Sequence, residues 1–388
     1  MTSPNIISLK EMLEGIKDPR AKRGIRHRLS DVILIMIFAT LCGYDTSTDI
    51  EIYGEEHAED FEKYFGIKKT PSHDTISRIL KMIDFTALYE LFSSFLQVFY
   101  PSTYIKYAGK TVTHIDGKAV KAATKKSEGQ NTVYLLNSYV EGETISLKSQ
   151  EIGDKENEIS AIPNYLDFLG IKDSIITIDA IGCNAKIIKS ILDHKCSFFL
   201  IVKENQKMLL NAINREIELL KKENKFEKLE TCSLLNKDHD RIEAMKATII
   251  SDTEFIFDSN LNEIFNNIGK ICVIDKTTTS KINGESKIAK TRTICITDLT
   301  ELSVNEMLEI KLSHWNIEAS HWILDVQYKE DYSTSRSGNS IVNLSLLRKF
   351  GMRMRNSSEE FSKKPIKRMF MRNVSHFENI IEMLCIDE

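Results

Sequence analysis

Apolar residues in the first hundred positions recur at spacings of three and four through Leu29–Leu41, Phe61–Phe65 and Ile76–Tyr100. That spacing puts them on single helical faces and predicts an all-helical region over residues 1–100. Pro71-Ser72-His73-Asp74 reads as a turn feeding a helix that starts near Thr75. Past Tyr107 the period changes. Thr111–Ile115 alternates, is β-branched, and runs into Asp116-Gly117-Lys118. Val133–Val140 and Thr144–Ile152 predict two more strands joined at Glu141-Gly142. A helix near Glu158–Leu169 follows, then a strand of buried type, Ser174–Ile178, ending at Asp179. A helix over Ala185–His194 and an apolar strand over Ser197–Lys203 complete the series. Three strands, helix, strand, helix, strand predicts an α/β fold whose later strands suit a parallel, helix-covered sheet.

From Gln206 to about Leu302 the pattern shifts again. A charged helix, Lys207–Glu223, precedes β-rich pieces at Ala244–Ile250, Lys270–Ile274 and Thr291–Ile296. Polar turns at Asn236-Lys237-Asp238 and Asn283-Gly284-Glu285 separate them. Ser303, with Glu306 three residues on, predicts the capped start of a long amphipathic helix continuing to the region of Asp325. The expected organisation is a helical unit at 1–100 and an α/β unit at 101–388. The second carries a β-rich insertion at about 206–302 and a basic helical tail at about 340–388.

Composition narrows the functional classes. Hydrophobic residues make up 42% and charged residues 28% of the 388, a globular balance. Lys and Arg number 52 against 56 Asp and Glu, a formal charge of −4. A nucleic-acid partner would therefore be held by local patches. Two exist: Lys17–Arg28 carries six Lys/Arg against one Asp, and residues 348–372 carry nine against two Glu. The longest apolar run, Val32–Cys42, is 11 residues, about half a membrane span, and predicts a buried helix. No secretion signal opens the sequence, and the seven cysteines form no CxxC pair. These features predict a cytoplasmic protein with reduced thiols, no zinc site and no membrane partner.

Candidate chemistry lies at two places. Asp116 and Asp179 each end an apolar strand, where a carboxylate caps a turn or faces a ligand outside the sheet. In His314-Trp315-Asn316-Ile317-Glu318-Ala319-Ser320-His321-Trp322-Ile323-Leu324-Asp325, four ionisable residues fall at i, i+4, i+7 and i+11, one helical stripe. One reading is a salt-bridged helix with Trp315 and Trp322 as core anchors. The other is a helix presenting Glu318 to the strand-end acids. Three such carboxylates suit two divalent cations ~3.5–4 Å apart for in-line phosphoryl displacement. Hard oxygen ligands favour Mg²⁺ or Mn²⁺.

At these residues the chain resembles the H-repeat-associated insertion-sequence transposases, a bacterial group of DDE transposases. The likeness covers nearly the full length. DPRAKRGIRHRLSDVILIMIFATLCGYDT and PSHDTISRIL resemble the group's helical opening, and IDGKAVKAA its first-Asp motif. KENEISAIPNYLDFLGIKDSIITIDAIGCN resembles the second-Asp motif, HWNIEASHWILDVQYKEDYSTSR the Glu motif, and GNSIVNLSLLRKF the tail. The resemblance implies an RNase H-like catalytic core with Asp116, Asp179 and Glu318 as catalytic, metal-binding triad, holding two Mg²⁺ or Mn²⁺ ions. The implied activity is cleavage of DNA at the ends of the protein's own element and joining of the 3′-hydroxyls to target DNA. The implied partners are double-stranded DNA and further copies of the chain in a synaptic complex, nucleoid-associated when bound. Asp179 stands 63 positions after Asp116 and Glu318 139 after Asp179, a gap that fits the inserted β-rich segment.

Two departures qualify the likeness. Relatives carry Y-(2)-R-(3)-E-(6)-K around the Glu, and here those offsets hold Lys311, His314 and Asp325. Lys203-Glu204-Asn205-Gln206 replaces the group's usual Lys-Gly-Asn-Gln, adding negative charge beside the implied DNA path. A catalytically silent DNA-binding protein is the alternative. Zinc on His314, Glu318 and His321 is a third reading that no HExxH supports. Lys118 is a candidate phosphate contact or a solvated lysine, and Asp325 a fourth metal carboxylate or a salt-bridge partner. His314 and His321 are orienting groups or structural histidines. Arg20, Lys22, Arg23, Arg26 and Arg28 are candidates for contacting terminal-repeat DNA. Lys125-Lys126 and the tail from Arg348 to Arg372 are candidate backbone contacts or solvated faces.

Overall fold

Between Leu29 and Leu41 the only charged side chain is Asp31, so a helix there has no face that prefers water, and all but Asp31 are buried. The computed structural model describes residues 4–23, 25–123, 133–142, 144–152, 157–238, 241–259, 261–282, 285–335, 337–357 and 362–384. This buried helix is α2, flanked by α1 (Pro4–Glu14), α3 (Ser47–Glu56), α4 (Ala58–Phe65), α5 (His73–Met82) and α6 (Phe85–Phe99). Thr46 and Asp84 cap α3 and α6 by accepting the Asp49 and Thr86 N–H groups. α5 starts at His73, two residues ahead of the expected Thr75.

The chain then alternates into β1 (Lys106–Tyr107), β2 (Lys110–Val120), β3 (Val133–Val140), β4 (Thr144–Ile152), α7 (Glu158–Leu169), β5 (Ser174–Ile178), α8 (Ala185–Asp193) and β6 (Ser197–Val202). Next come α9 (Lys207–Lys222), β7 (Thr231–Asp238), β8 (Arg241–Ile250), β9 (Lys270–Ile282) and β10 (Glu285–Thr297). The chain ends in α10 (Val304–Ser313), α11 (Trp315–Trp322), α12 (Ser340–Ser357), α13 (Ile366–Ser375) and α14 (Glu378–Leu384).

The strands form one mixed sheet in the order β4-β3-β2-β5-β6-β10-β9-β8-β7, with β1 beside β2. β2, β5 and β6 are parallel; β3 and β4 run antiparallel on one side. The expected insertion is β-rich, but it extends this same sheet. β10 pairs antiparallel with β6 from Thr297↔Phe199 to Ile294↔Val202, which covers an edge that would otherwise expose unpaired backbone groups. β7 was missing from the expected pieces, and Asn236-Lys237-Asp238 lies inside it. Residues 283 and 284 of the other expected turn lie outside the described residues.

One side of the sheet packs α7, α8 and α9 onto Ile115, Ile176, Ile178 and Phe198. The helices α1–α6 share a single apolar core with α12, α13 and α14, in which Phe92 stacks on Phe350 with ring centroids 4.2 Å apart. The C-terminal stretch is thus no loose tail: Arg348, Lys349 and Arg353 of α12 are buried. Of the basic run, Lys363, Lys367 and Arg368 are exposed. Among the described residues no helix is long and apolar enough to cross a membrane.

Candidate active site

Alternation along β2 sorts its side chains. Ile115 enters the core shared with α7 and α8, whereas His114, Asp116 and Lys118 face α11 and the turn after it. β2 and β5 pair in parallel up to Ile115↔Ile178, so Asp116 and Asp179 are the next residues on neighbouring strands. Asp116 does not end its strand, since β2 continues to Val120. Asp179 does end β5 and caps the short 3₁₀ turn Ala180–Gly182, accepting the Ile181 N–H at 3.0 Å. Asn205 donates its amide to Ala180 O at 2.8 Å and holds that turn in place. Asp179 is exposed and Asp116 half-buried.

The helix expected from Ser303 to Asp325 is present with two irregularities. Ser303 and Glu306 form the predicted capping box on α10, one turn residue with helical backbone angles, His314, separates α10 from α11, and α11 gives way to a π-helical turn at Ile323–Gln327. Such π turns recur at functional sites. The stripe lies along β2. His314 Nδ1 is 2.6 Å from Thr177 Oγ1, which is also 2.6 Å from His114 Nδ1. His321 Nδ1 is 3.3 Å from Asp116 Oδ2, and Asp325 pairs with Lys118. Glu318 is exposed between these contacts. Trp315 and Trp322 are not core anchors: they are 66% and 57% exposed on the outer face of α11, because the histidines take the inner one.

Electrostatics ties the acids together. Partial burial raises the Glu318 carboxyl above its ordinary value, and the negative charges of Asp116 and Asp179 add to the rise against Lys311 and His321. Glu158, the first residue of α7, is raised in the same way by burial and then by Asp179 and Asp116. Its carboxylate lies against Gly117, where a Cβ would come within 2.4 Å of Oε1, so any side chain at 117 would displace it. Glu318 and Glu158 are thus both raised first by burial and then by the charges of Asp116 and Asp179. Burial holds His314 at about 3, so its imidazole is neutral.

Among the described residues no group of three or more His, Cys, Asp or Glu side chains is placed to hold a metal ion. Carboxylate oxygens are the donors that Mg²⁺ and Mn²⁺ take, and such ions keep several waters and use one or two carboxylates together with substrate phosphate oxygens. A cation beside Glu318 and Glu158 would lower carboxyls that burial and their acidic neighbours raise.

Lys118 is not a DNA-facing lysine. It is 6% exposed, and its ammonium sits between Asp325 and Glu330. Burial opposes ionisation of Glu330, yet Lys118 and Arg348 hold its carboxyl down to about 2. Arg348 continues the network to Asp45, 3.8 Å away, fastening the helical region to the sheet. Asp325 thus serves as a salt-bridge partner. Arg20 is likewise committed: it grips Asp18 at 2.6 Å and donates to His27 O at 2.8 Å, which folds the basic loop. Arg23, Arg26 and Arg78 are exposed around one cleft with Ser72 and Thr75. Lys22 and Arg28 are also exposed, and Lys125-Lys126 lies outside the described residues.

Sequence reasoning passed over Glu158, Asn137 and Glu330. Glu158 had a signal, an acid in the first turn of a helix after the strong cap Asn157. Asn137 and Glu330 had none, because their partners are distant in sequence.

Residues 107–353 match the family model described as "Transposase DDE domain", and residues 10–96 match the one described as "DDE_Tnp_1-associated". The chain is 28% identical to "Putative transposase YncI" of Escherichia coli O157:H7 over 90% of its own length and 87% of that protein's. It is 29% identical to "H repeat-associated putative transposase YhhI" of Escherichia coli K12, covering 86% of this chain and 87% of the relative. "H repeat-associated putative transposase YbfD" of the same strain is 31% identical over 61% of this chain and 92% of its own length. With both family models matched in chain order and these relatives aligned over most of their length, the chain belongs to the H-repeat-associated DDE transposases.

Proposed function

We propose that this transposase cuts DNA at the ends of its own insertion sequence and joins the 3′-hydroxyls to target DNA. The reading includes an RNase H-like core, supported by the β4-β3-β2-β5-β6 order with its three central parallel strands. It rests chiefly on one observation. Asp116 and Asp179 follow the last paired residues of two neighbouring parallel strands, and the Glu318 carboxyl carries the repulsion of both. Asp116, Asp179 and Glu318 would hold the divalent cations, which supply activation of water or a 3′-hydroxyl and charge neutralisation at the phosphate.

The chain's own residues place and aim these acids. β2 fixes Asp116, Asn205 fixes the Asp179 turn, and α11 carries Glu318 with an exposed side chain that feels the charges of both. Trp315 and Trp322 flank Glu318 on the same exposed surface and offer aromatic faces to unstacked bases. Arg23, Arg26 and Arg78 provide a cleft for DNA backbone at a second place. Two element ends must be processed together, so the working form is a multimer on DNA in the cytoplasm.

The test is cleavage of a DNA fragment carrying the gene's own flanking sequence, with Mg²⁺ or Mn²⁺, comparing wild type with Asp179→Asn. Metal-dependent cuts at inverted-repeat ends, absent in the variant, are expected. Sequence-selective binding with no cutting by wild type would instead identify a silent DNA-binding descendant.

A further inference from the structure

Asp116, Asn137 and Ser149 stand directly opposite one another across β2, β3 and β4. Two helices cover this line of side chains. From α11, His321 places Nδ1 3.3 Å from Asp116 Oδ2 and Nε2 3.0 Å from Asn137 Nδ2. From α12, Lys349, fully buried, donates to Asn137 Oδ1 at 2.7 Å, to Ser149 Oγ at 2.6 Å and to Lys148 O at 3.2 Å. Ser149 also donates to Asn137 Oδ1 at 3.0 Å.

These contacts leave the Asn137 amide one orientation. Its oxygen receives Lys349 and Ser149; the flipped amide would turn an N–H group against the Lys349 ammonium, which can only donate. As an ammonium, Lys349 has one hydrogen for each of its three acceptors, Asn137 Oδ1, Ser149 Oγ and Lys148 O. The Asn137 NH₂ must then point at His321, so His321 Nε2 is the acceptor and the ring proton sits on Nδ1, beside Asp116.

We propose that Lys349, Ser149 and Asn137 form a positioning relay that fixes the Nδ1–H tautomer of His321 and thereby aims the Asp116 carboxylate. The relay rests on the catalytic reading of Asp116 given above. Neutral imidazoles and carboxylates at metal centres are commonly oriented this way, and loss of such a partner costs roughly 10–100-fold in metal affinity or activity. The transposase fold thus carries a buried lysine on α12 that, through Ser149 and Asn137 on the neighbouring strands, sets the geometry of one of the acids.

The experiment is ¹⁵N-histidine labelling of the full chain, with long-range ¹H–¹⁵N correlation of the imidazoles. His321 is identified by the resonance lost in His321→Gln. The expected wild-type spectrum shows His321 protonated on Nδ1, and a proton on Nε2 would overturn the relay. That spectrum decides without any variant of Asn137. In Asn137→Asp the side chain next to Nε2 can only accept, so the proton should move to Nε2 and metal-dependent cleavage should fall about 10–100-fold. An unchanged tautomer in that variant also counts against the relay. The two readings fail separately. A wild-type enzyme that cleaves but holds His321 as Nε2–H sinks the relay alone, whereas the expected tautomers in a protein that never cleaves sink the catalytic reading alone.

Discussion

Replacing Lys118 with Met tests whether this lysine serves the fold or the DNA. Met keeps most of the side chain's length and removes its charge. Glu330, 1% exposed, would keep only Arg348, whose Nη1 is 3.7 Å away, and Asp325 would lose its ion-pair partner. Removing one member of a buried ion pair costs about 3–5 kcal/mol, because the remaining charge stays desolvated. The Glu330 carboxyl points in the same direction: against the cost of burial, Lys118 and Arg348 hold it down to about 2. The sign follows from the lowered value. The contribution is fully present above about pH 4.5 and is lost as pH falls through about 2. Urea denaturation followed by circular dichroism should show the Lys118→Met midpoint lowered by roughly 1 M at pH 7. The loss of wild-type stability below pH 4.5 should be shallower in the variant. Adding Glu330→Gln should recover part of the loss, since both charges are then gone. A stability within about 0.5 kcal/mol of wild type, joined to a weaker salt dependence of DNA binding, would refute this and return Lys118 to the DNA surface.

Asp179→Asn and Asp179→Ala should separate capping from chemistry. Asn can still accept the Ile181 N–H and should keep wild-type stability, Ala should lose about 1 kcal/mol by thermal melting, and neither should cleave DNA. Arg26→Ala should lower the slope of log affinity against log salt by about 1 in a binding titration, with unchanged stability. Arg20→Ala should instead destabilise the loop that presents the other arginines, as its bonds to Asp18 and His27 O are lost; hydrogen exchange across residues 17–28 would read this.

Period and spacing carried much of the architecture. The alternation over Thr111–Ile115, the buried-type strand Ser174–Ile178 and the Ser303/Glu306 cap each stand where expected, because local patterns of two and 3.6 residues decide them. Which way a helix turns is harder to read. The stripe from His314 to Asp325 was visible, but polar residues taking the inner face and both tryptophans the outer one reverses the usual preference. The polar side chains of β2, β3 and β5 that meet this face explain it. Charge runs misled for the same reason. Arg348, Lys349 and Arg353 look solvent-facing in sequence, and Glu330 beside Arg348, Asn137 and Ser149 beside Lys349, and Ser102 beside Arg353 make their burial tolerable. Most of these partners are two hundred residues or more away and leave no local mark.

The most direct test of the metal-binding triad is a change of ligand at Asp179. In Asp179→Cys a soft thiolate replaces a hard carboxylate, which favours Mn²⁺ over the harder Mg²⁺. Cleavage of end-bearing DNA by this variant is expected to be lost in Mg²⁺ and restored about tenfold or more in Mn²⁺. Equal loss in both metals, in a variant that folds and binds DNA, or full activity in Mg²⁺, would contradict a metal-bound Asp179 and the triad built on it.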